Sequence, residues 1–323
     1  MELQRLSGIS HTQPPLAQDV GKKVSIRLHE DGGFRDLLGI LQSPSQVLKK
    51  DGTTADFDPN LIAAWRIVET TEYPAGKGQP LSLRILELER IAEKTWPANT
   101  TEIRGGWRYR ISNGFTFRGN SILPVGAPPY GEPELPIADE LAYAIQRYGE
   151  AGVTPAIHIP IPLFEKLDEV FEEAGWEMRI EAHLMIADSP VIPRTALPDG
   201  ATLEVLDQPS EEWLTVQGKA VGYEVMLNYP AQYFGVRVDG SLVSVMRVSE
   251  ADGWAILSRL FVAENYRGRG LSKAIISTAL DRLTDASITK IALQVDVANA
   301  TAIALYSSLG FRVHHNYRFR VKA

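Results

Sequence analysis

The sequence has no cysteine in its 323 residues. That excludes disulfides, thiolate metal sites and a cysteine nucleophile, and it fits a cytoplasmic protein. No apolar run approaches the roughly 18 residues a membrane helix needs, so no membrane partner is expected. The first twenty residues, "MELQRLSGISHTQPPLAQDV", lack a basic region followed by an apolar core, so no secretory leader is expected. Positive charge is also in deficit. With 33 Lys/Arg against 40 Asp/Glu the net charge is −7, which argues against nucleic-acid binding over the whole surface.

What is present is ordinary globular material, 44% hydrophobic and 23% charged, at a length that suggests two or three domains. The charge is unevenly placed. From residue 191 onward there are 14 Lys/Arg and 13 Asp/Glu, and the first 190 residues hold the other 19 and 27. The C-terminal part is the less repulsive place for an anionic ligand.

Within the first domain, 1–70, residues 20–69 read as short strands ("KKVSIRLH", "FRDLLGILQS", "SQVLKK", "TADFD") bounded by Gly, Asp and Pro signals. "LIAAWRIVE" reads as a turn of helix and a closing strand. A small SH3-like β-barrel is the expected architecture. "TTEYPAGKGQP" and "SPVIPRTALPDG" read as linkers. They bound two regions of mixed helix and strand, 82–188 and 191–323. The fold class is therefore α/β (α+β) and multidomain, with helices on the faces of mixed sheets.

The chemically suggestive stretch is "NYRGRGLSKAII", 265–276. An apolar strand, "GWAILSRLFV", hands over here to a helix with an apolar stripe at Leu271, Ile275, Ile276, Ala279 and Leu280. The first amides of a helix lack intrahelical partners, and its dipole favours an anion. Gly268 and Gly270 let the backbone approach a phosphate, and Arg267, Arg269 and Lys273 add positive charge. A solvated basic turn is the plain alternative. Downstream, "QVDVANATAIALYSSLGF" sets Asn299 at a strand end and Tyr306 seven positions on, two helical turns away on the same face.

Together, "VAENYRGRGLS" and "NATAIALYSSLGF" resemble the GNAT superfamily of acetyl-CoA-dependent N-acetyltransferases, with the likeness covering about 254–319. Ser272 stands where the family motif has Gly or Ala. The resemblance implies that backbone amides from Arg267 through Gly268, Arg269, Gly270, Leu271 and Ser272 to Lys273 hold the CoA pyrophosphate. It implies that the strand ending at Leu260, Phe261 and Val262 pairs with the pantetheine arm, that Asn299 contacts that arm, and that Tyr306 is the general acid. An N–H near Phe261 or Val262 would polarise the thioester. The missing cysteine favours direct attack in a ternary complex. Glu224 and Asp296 are candidate bases or water-positioning groups, and the plainer reading of each is a solvated surface carboxylate.

Shifted by 135 residues, 153–176 falls on 288–311 without a gap, and Gly175-Trp176 on Gly310-Phe311. The repeat replaces Arg267, Gly268, Arg269 and Gly270 by Glu132, Pro133, Glu134 and Leu135, and Asn299 and Tyr306 by Phe164 and Phe171. The expectation is a degenerate GNAT-like half at 82–188 and a catalytic half at 191–323. This arrangement behind a small barrel is similar to a tandem-GNAT, actinobacterial-type subfamily. Arg118 and Asn120 are candidates to line the cleft or to bond internally.

His314 and His315 make a poor chelate, because neighbours on a strand point to opposite faces, and no metal is expected. His158 and His183 read as core residues. The expected activity is acetyl transfer from acetyl-CoA to a small-molecule or peptide amine. The competing class is a CoA-sensing regulatory protein. Homo-oligomerisation stays open.

Overall fold

The structure, a computed structural model, describes residues 11–30, 32–49, 53–68, 73–218, 221–283 and 288–323. The chain divides into two compact units, Met1–Tyr73 and Pro74–Ala323.

In the first unit, β1 (Lys23–Glu30), β2 (Gly33–Ser43), β3 (Gln46–Leu48), β4 (Thr54–Asp56) and β5 (Ile62–Ile67) form one antiparallel sheet in the order β4-β3-β2-β1-β5. Alternation along β1 buries Val24, Ile26 and Leu28 on one face, where they join Leu37, Val47 and Trp65 in a single core. A 3-10 turn, Pro59–Leu61, capped by Asp58 accepting from the Asn60 amide, leads into β5. No rung joins the edge strands β4 and β5 among the described residues, so the expected closed barrel is an open five-stranded sheet. β3 and β4 are three residues each and are short for wrapping the sheet onto β5.

The second unit begins with α1 (Leu81–Lys94), β6 (Thr100–Arg104), β7 (Trp107–Ile111) and β8 (Ile122–Pro124). It continues with α2 (Ile137–Glu150), β9 (Ala156–Ile161), α3 (Glu165–Glu173) and β10 (Glu177–Asp188). Then come β11 (Ala201–Leu206), α4 (Glu211–Val216), β12 (Gln232–Val238), β13 (Ser241–Ala251) and β14 (Trp254–Val262). α5 (Leu271–Leu280), β15 (Lys290–Asp296), α6 (Ala300–Ser308) and β16 (Arg312–Val321) complete it. All its strands lie in one 11-stranded sheet, ordered β11-β12-β13-β14-β15-β10-β16-β9-β8-β7-β6.

This order carries the 135-residue repeat into three dimensions. The offset places α3 on α6, β9 on β15 and β10 on β16. β10, from the first half, lies between β15 and β16, and β16, from the second, lies between β10 and β9. Each half therefore houses the other's last strand. At the centre of the exchange Ala182 pairs with Tyr317, its own counterpart 135 positions on. The halves at 82–188 and 191–323 share one sheet.

The expected linkers are packed structure. From the first, Ala75 is fully buried, its amide donates to Asp188 at 2.7 Å, and its carbonyl accepts from Arg312. Residues 70–72 of that segment lie outside the described residues. In the second, Ser189 donates to the Thr289 carbonyl at 2.7 Å and Ile192 is buried in the core between the sheet and α5. An exchanged strand leaves no free tether between halves. After α4 ends at Val216, a 3-10 turn follows at Tyr223–Leu227.

Candidate active site

The sheet opens at β14 and β15. The two run parallel from Trp254 and Lys290 to Leu257 and Leu293, and there their pairing stops. Beyond that rung the strands border a cleft of about 920 Å³, lined by Ser258–Phe261 on one side and Gln294–Asp296 on the other. The edge of β14 facing β15 there offers backbone N–H and C=O groups without a neighbouring strand, as an amide-containing ligand arm requires.

A bulge prepares this edge. Against β13 the register slips between Val245 and Arg247, so Arg259 and Leu260 together oppose Met246. Arg259 takes φ +55, the left-handed region that side chains seldom adopt. Such bulges re-aim side chains at sites, and here the Arg259 side chain borders the cleft.

α6 supplies the opposite wall. Asn299 is its N-cap, accepting from the Ala302 amide at 3.1 Å, and Tyr306 lies two turns on. Both line the cleft, as their spacing predicts. Tyr306 packs edge-on against Phe311, with ring centroids 5.9 Å apart, and burial pushes its phenol up to about 12. It therefore stays protonated at neutral pH and can donate a proton.

The α5 N-terminus stands next to the cleft in sequence, and none of 267–273 is among the lining residues. Gly268 has φ +75 and Gly270, the N-cap, φ +78. A Cβ at either would meet nothing within 4 Å, so the glycines are needed here for the left-handed backbone. No side chain caps the helix and its first turn holds no acid. Arg267 donates to the Val262 carbonyl at 3.2 Å and Arg269 to the Asn265 carbonyl at 3.1 Å. Neither pairs with a carboxylate among the described residues.

The carboxylate candidates separate. Asp296 lines the cleft, and its Oδ1 accepts from the Ala298 amide at 2.8 Å. Glu224 does not line it. Its neighbours Val225 and Met226 are buried, and the turn they anchor leaves Glu224 exposed.

The first half contributes the remaining wall, including Trp96, Phe115, Phe117 and Arg118. Asn120 also borders the cleft, but it is a buried latch, accepting from the Ser112 amide at 2.8 Å and donating to the Thr116 carbonyl at 2.8 Å. Sequence reasoning missed Arg259 and Gln294. The available signal for Arg259 was a lone cation inside the apolar strand "GWAILSRLFV".

In the first half the corresponding places are filled by the chain itself. The Leu135 amide, counterpart of Gly270, donates to Glu140 at 3.1 Å, and Glu140, fully buried, also accepts from the Tyr109 hydroxyl at 2.5 Å. Phe164 and Phe171 are fully buried in that half's core, Phe171 against Trp107 and Trp176.

The two histidines behave differently from the strand rule. His314 lies at a register slip of β16, and the Nδ1 atoms of His314 and His315 come within 2.8 Å. His315 also bonds Glu89 at 2.9 Å. No group of ligating side chains suited to a metal occurs among the described residues. His158 is buried and His183 bonds Asn316 at 2.8 Å.

Residues 83–320 match the family described as probable histone acetyltransferase Rv0428c C-terminal. The chain belongs to this family of GNAT N-acetyltransferases. It is 27% identical over 250 residues to YobR of Bacillus subtilis, described as an uncharacterized N-acetyltransferase, covering 74% of this chain and 98% of that one. It is 22% identical over 318 residues to the probable histone acetyltransferase Rv0428c of Mycobacterium tuberculosis, covering 93% and 94%. Among solved structures it matches a GCN5-related N-acetyltransferase from Kribbella flavida with TM-score 0.58 at 15% identity, over 72% of this chain and 95% of that one. This GNAT chain is an acyltransferase with a mixed α/β fold. No helix among the described residues is long and apolar enough to cross a membrane.

Proposed function

We propose that this protein moves an acetyl group from acetyl-CoA to a primary amine by direct attack in a ternary complex, at the cleft between β14, β15 and α6. The observation that carries this reading is the opening of the β14–β15 pair past Leu257 and Leu293, with Tyr306 and Asn299 on its wall.

Acetyl-CoA supplies an activated acyl group as a thioester. The α5 amides from Leu271 to Lys273, with Arg267, Arg269 and Lys273, fit its pyrophosphate, because they form an uncapped helix start with no acid in its first turn. Leu260, Phe261 and Val262 present the strand edge that fits the pantetheine amides, and an amide near Phe261 or Val262 polarises the carbonyl. Asn299 has its Oδ1 committed to the cap, so its side-chain N–H₂ is the group to offer that arm. Asp296, directly or through water, takes the proton the amine loses as the N–C bond forms. Tyr306 gives its proton to the sulfur as the C–S bond breaks.

The half at 82–188 is degenerate in this reading and shapes the acceptor side. Glu140 holding the Leu135 amide and the buried Phe164 and Phe171 support it. The five-stranded unit is SH3-like, supported by its strand order and the 3-10 turn before β5. A cytoplasmic location accords with the absence of cysteine.

The test is release of free thiol from acetyl-CoA across a broad amine panel. Turnover with some amine, lowered in Tyr306→Phe without loss of CoA affinity, supports the enzyme reading. Tight CoA binding with no turnover on any amine would instead make the protein a CoA sensor.

A further inference from the structure

The acceptor side of the cleft holds two arginines without a carboxylate. Arg118 and Arg259 both line it, from opposite halves of the chain, and neither forms an ion pair among the described residues. Arg247, buried nearby in sequence, shows what a structural arginine looks like here. Its donors go to Ser249, to the carbonyls of Thr95, Met226 and Tyr229, and to the Tyr233 hydroxyl. Arg259 is left short by comparison. One of its terminal nitrogens reaches Gln217, while its buried Nε has no acceptor. Gln294, across the cleft on β15, likewise has a buried Nε2 without a partner.

Aromatic rings hold both guanidiniums. Arg259 lies 5.0 Å from the Phe115 ring centroid and 4.9 Å from that of Phe261, and Arg118 lies 5.1 Å from that of Trp96. Burial and the neighbouring Arg118 pull Arg259 down to about 10. Two like charges in one cleft, with unfilled N–H donors beside them, are costly unless an anion arrives. Within the protein Arg118 is held by the Tyr317 hydroxyl and attracted by Glu89, a carboxylate already bonded to His315 and 3.2 Å from His158. Asp296 also borders the cleft, and it forms no ion pair with either arginine.

We propose that the acceptor amine carries an acidic group, and that Arg118 and Arg259 grip this group in the cleft while the amine faces Tyr306 and Asp296. The proposal rests on the acetyl-transfer reading above for the amine, and on the arginines alone for the acid. A carboxylate and a phosphate share the chemistry required, and a planar guanidinium fits either. The CoA phosphates are assigned to α5, whose basic residues lie outside this cleft lining.

The test is kcat/KM by thiol release for matched pairs: each amino acid against its amide and its decarboxylated amine, and phosphoethanolamine against ethanolamine. The acid-bearing member of the best pair is expected to exceed its neutral partner by at least about tenfold. Arg118→Gln and Arg259→Gln should bring that ratio toward one, with acetyl-CoA affinity kept and Arg→Lys at each position restoring part of it. The two kinds of pair distinguish carboxylate from phosphate. Equal or better use of the neutral member in every pair, or a ratio that survives both substitutions, overturns the proposal. Calorimetry with N-acetyl amino acids and their amides gives a readout without turnover. Acid-selective binding lost in Arg259→Gln upholds the anion site even if no amine is acetylated, and binding blind to the acid sinks it. Thermal unfolding of each variant separates loss of the site from loss of the fold.

Discussion

Leu257 and Leu293 form the last rung shared by β14 and β15, and everything assigned to catalysis lies beyond it. A parallel pair that continued would satisfy its own amides and close the cleft. By parting there, the strands leave one edge of β14 for a ligand and place Asp296 and the start of α6 at the far side.

Tyr306→Phe is expected to lower kcat by a factor of about 10² to 10⁴ with little change in the KM for acetyl-CoA, read from steady-state thiol release. Because burial holds the phenol at about 12, the protonated form persists through neutral and mildly alkaline pH. The kcat profile should therefore show no falling limb from this residue below about pH 10. A falling limb near pH 8 that vanishes in Tyr306→Phe would contradict the raised value but keep Tyr306 as the acid, whereas an unchanged kcat in Tyr306→Phe would overturn the assignment.

Calorimetry should find one CoA site per chain. Gly270→Glu should abolish it, because φ +78 strains a side chain there and the new carboxylate repels phosphate. A second site would overturn the degenerate first half.

Asp296→Asn should depress kcat, whereas Glu224→Gln should leave it unchanged, since Glu224 is exposed away from the cleft lining. The opposite outcome would exchange their roles.

Glu140→Ala should destabilise the fold by about 3 kcal/mol in denaturant titration, since it strands the buried Tyr109 hydroxyl and removes the buried partner of Arg104. Acetyl-CoA affinity should be unchanged, as this acid belongs to the first half.

Asp168 ties α3 to β16, accepting from Arg318 at 2.6 Å and Arg320 at 2.6 Å. Burial pushes its carboxyl up, and Arg320 and Arg318 more than reverse this, so it is held below the usual value of 3.8. A lowered folded pKa gives stability that is present above pH about 4 and lost as pH falls through the folded value. Asp168→Asn should flatten that acid limb and cost about 3 kcal/mol at neutral pH, measured by urea unfolding across pH.

Much of the site was legible in the chain. The helix start at Gly270 and the Asn299 and Tyr306 spacing are local features, set within two turns of backbone, and local periodicity reveals such things. The repeat was legible too, because the same order of elements recurs at a constant offset. Glu224 and His314 show where this reading stops. Whether Glu224 faced the cleft depended on which neighbours the core took, and the His314 and His315 contact depended on a slip in pairing with β10. The packed linkers followed from strand exchange, which local sequence does not encode.

By itself, the sequence determined a cysteine-free α/β chain with a basic, glycine-containing helix start, a tyrosine two turns from an asparagine, and a duplicated pattern whose first copy lacks those residues. Only the tertiary structure decided that the two copies share one sheet, that β14 and β15 part after Leu257 and Leu293, and that Arg118 and Arg259 from different halves meet in one cleft. Short-range periodicity follows from backbone geometry within a helix or strand. The meeting of residues 141 positions apart follows from which sheet edges pair, and that is settled by the burial of the whole unit.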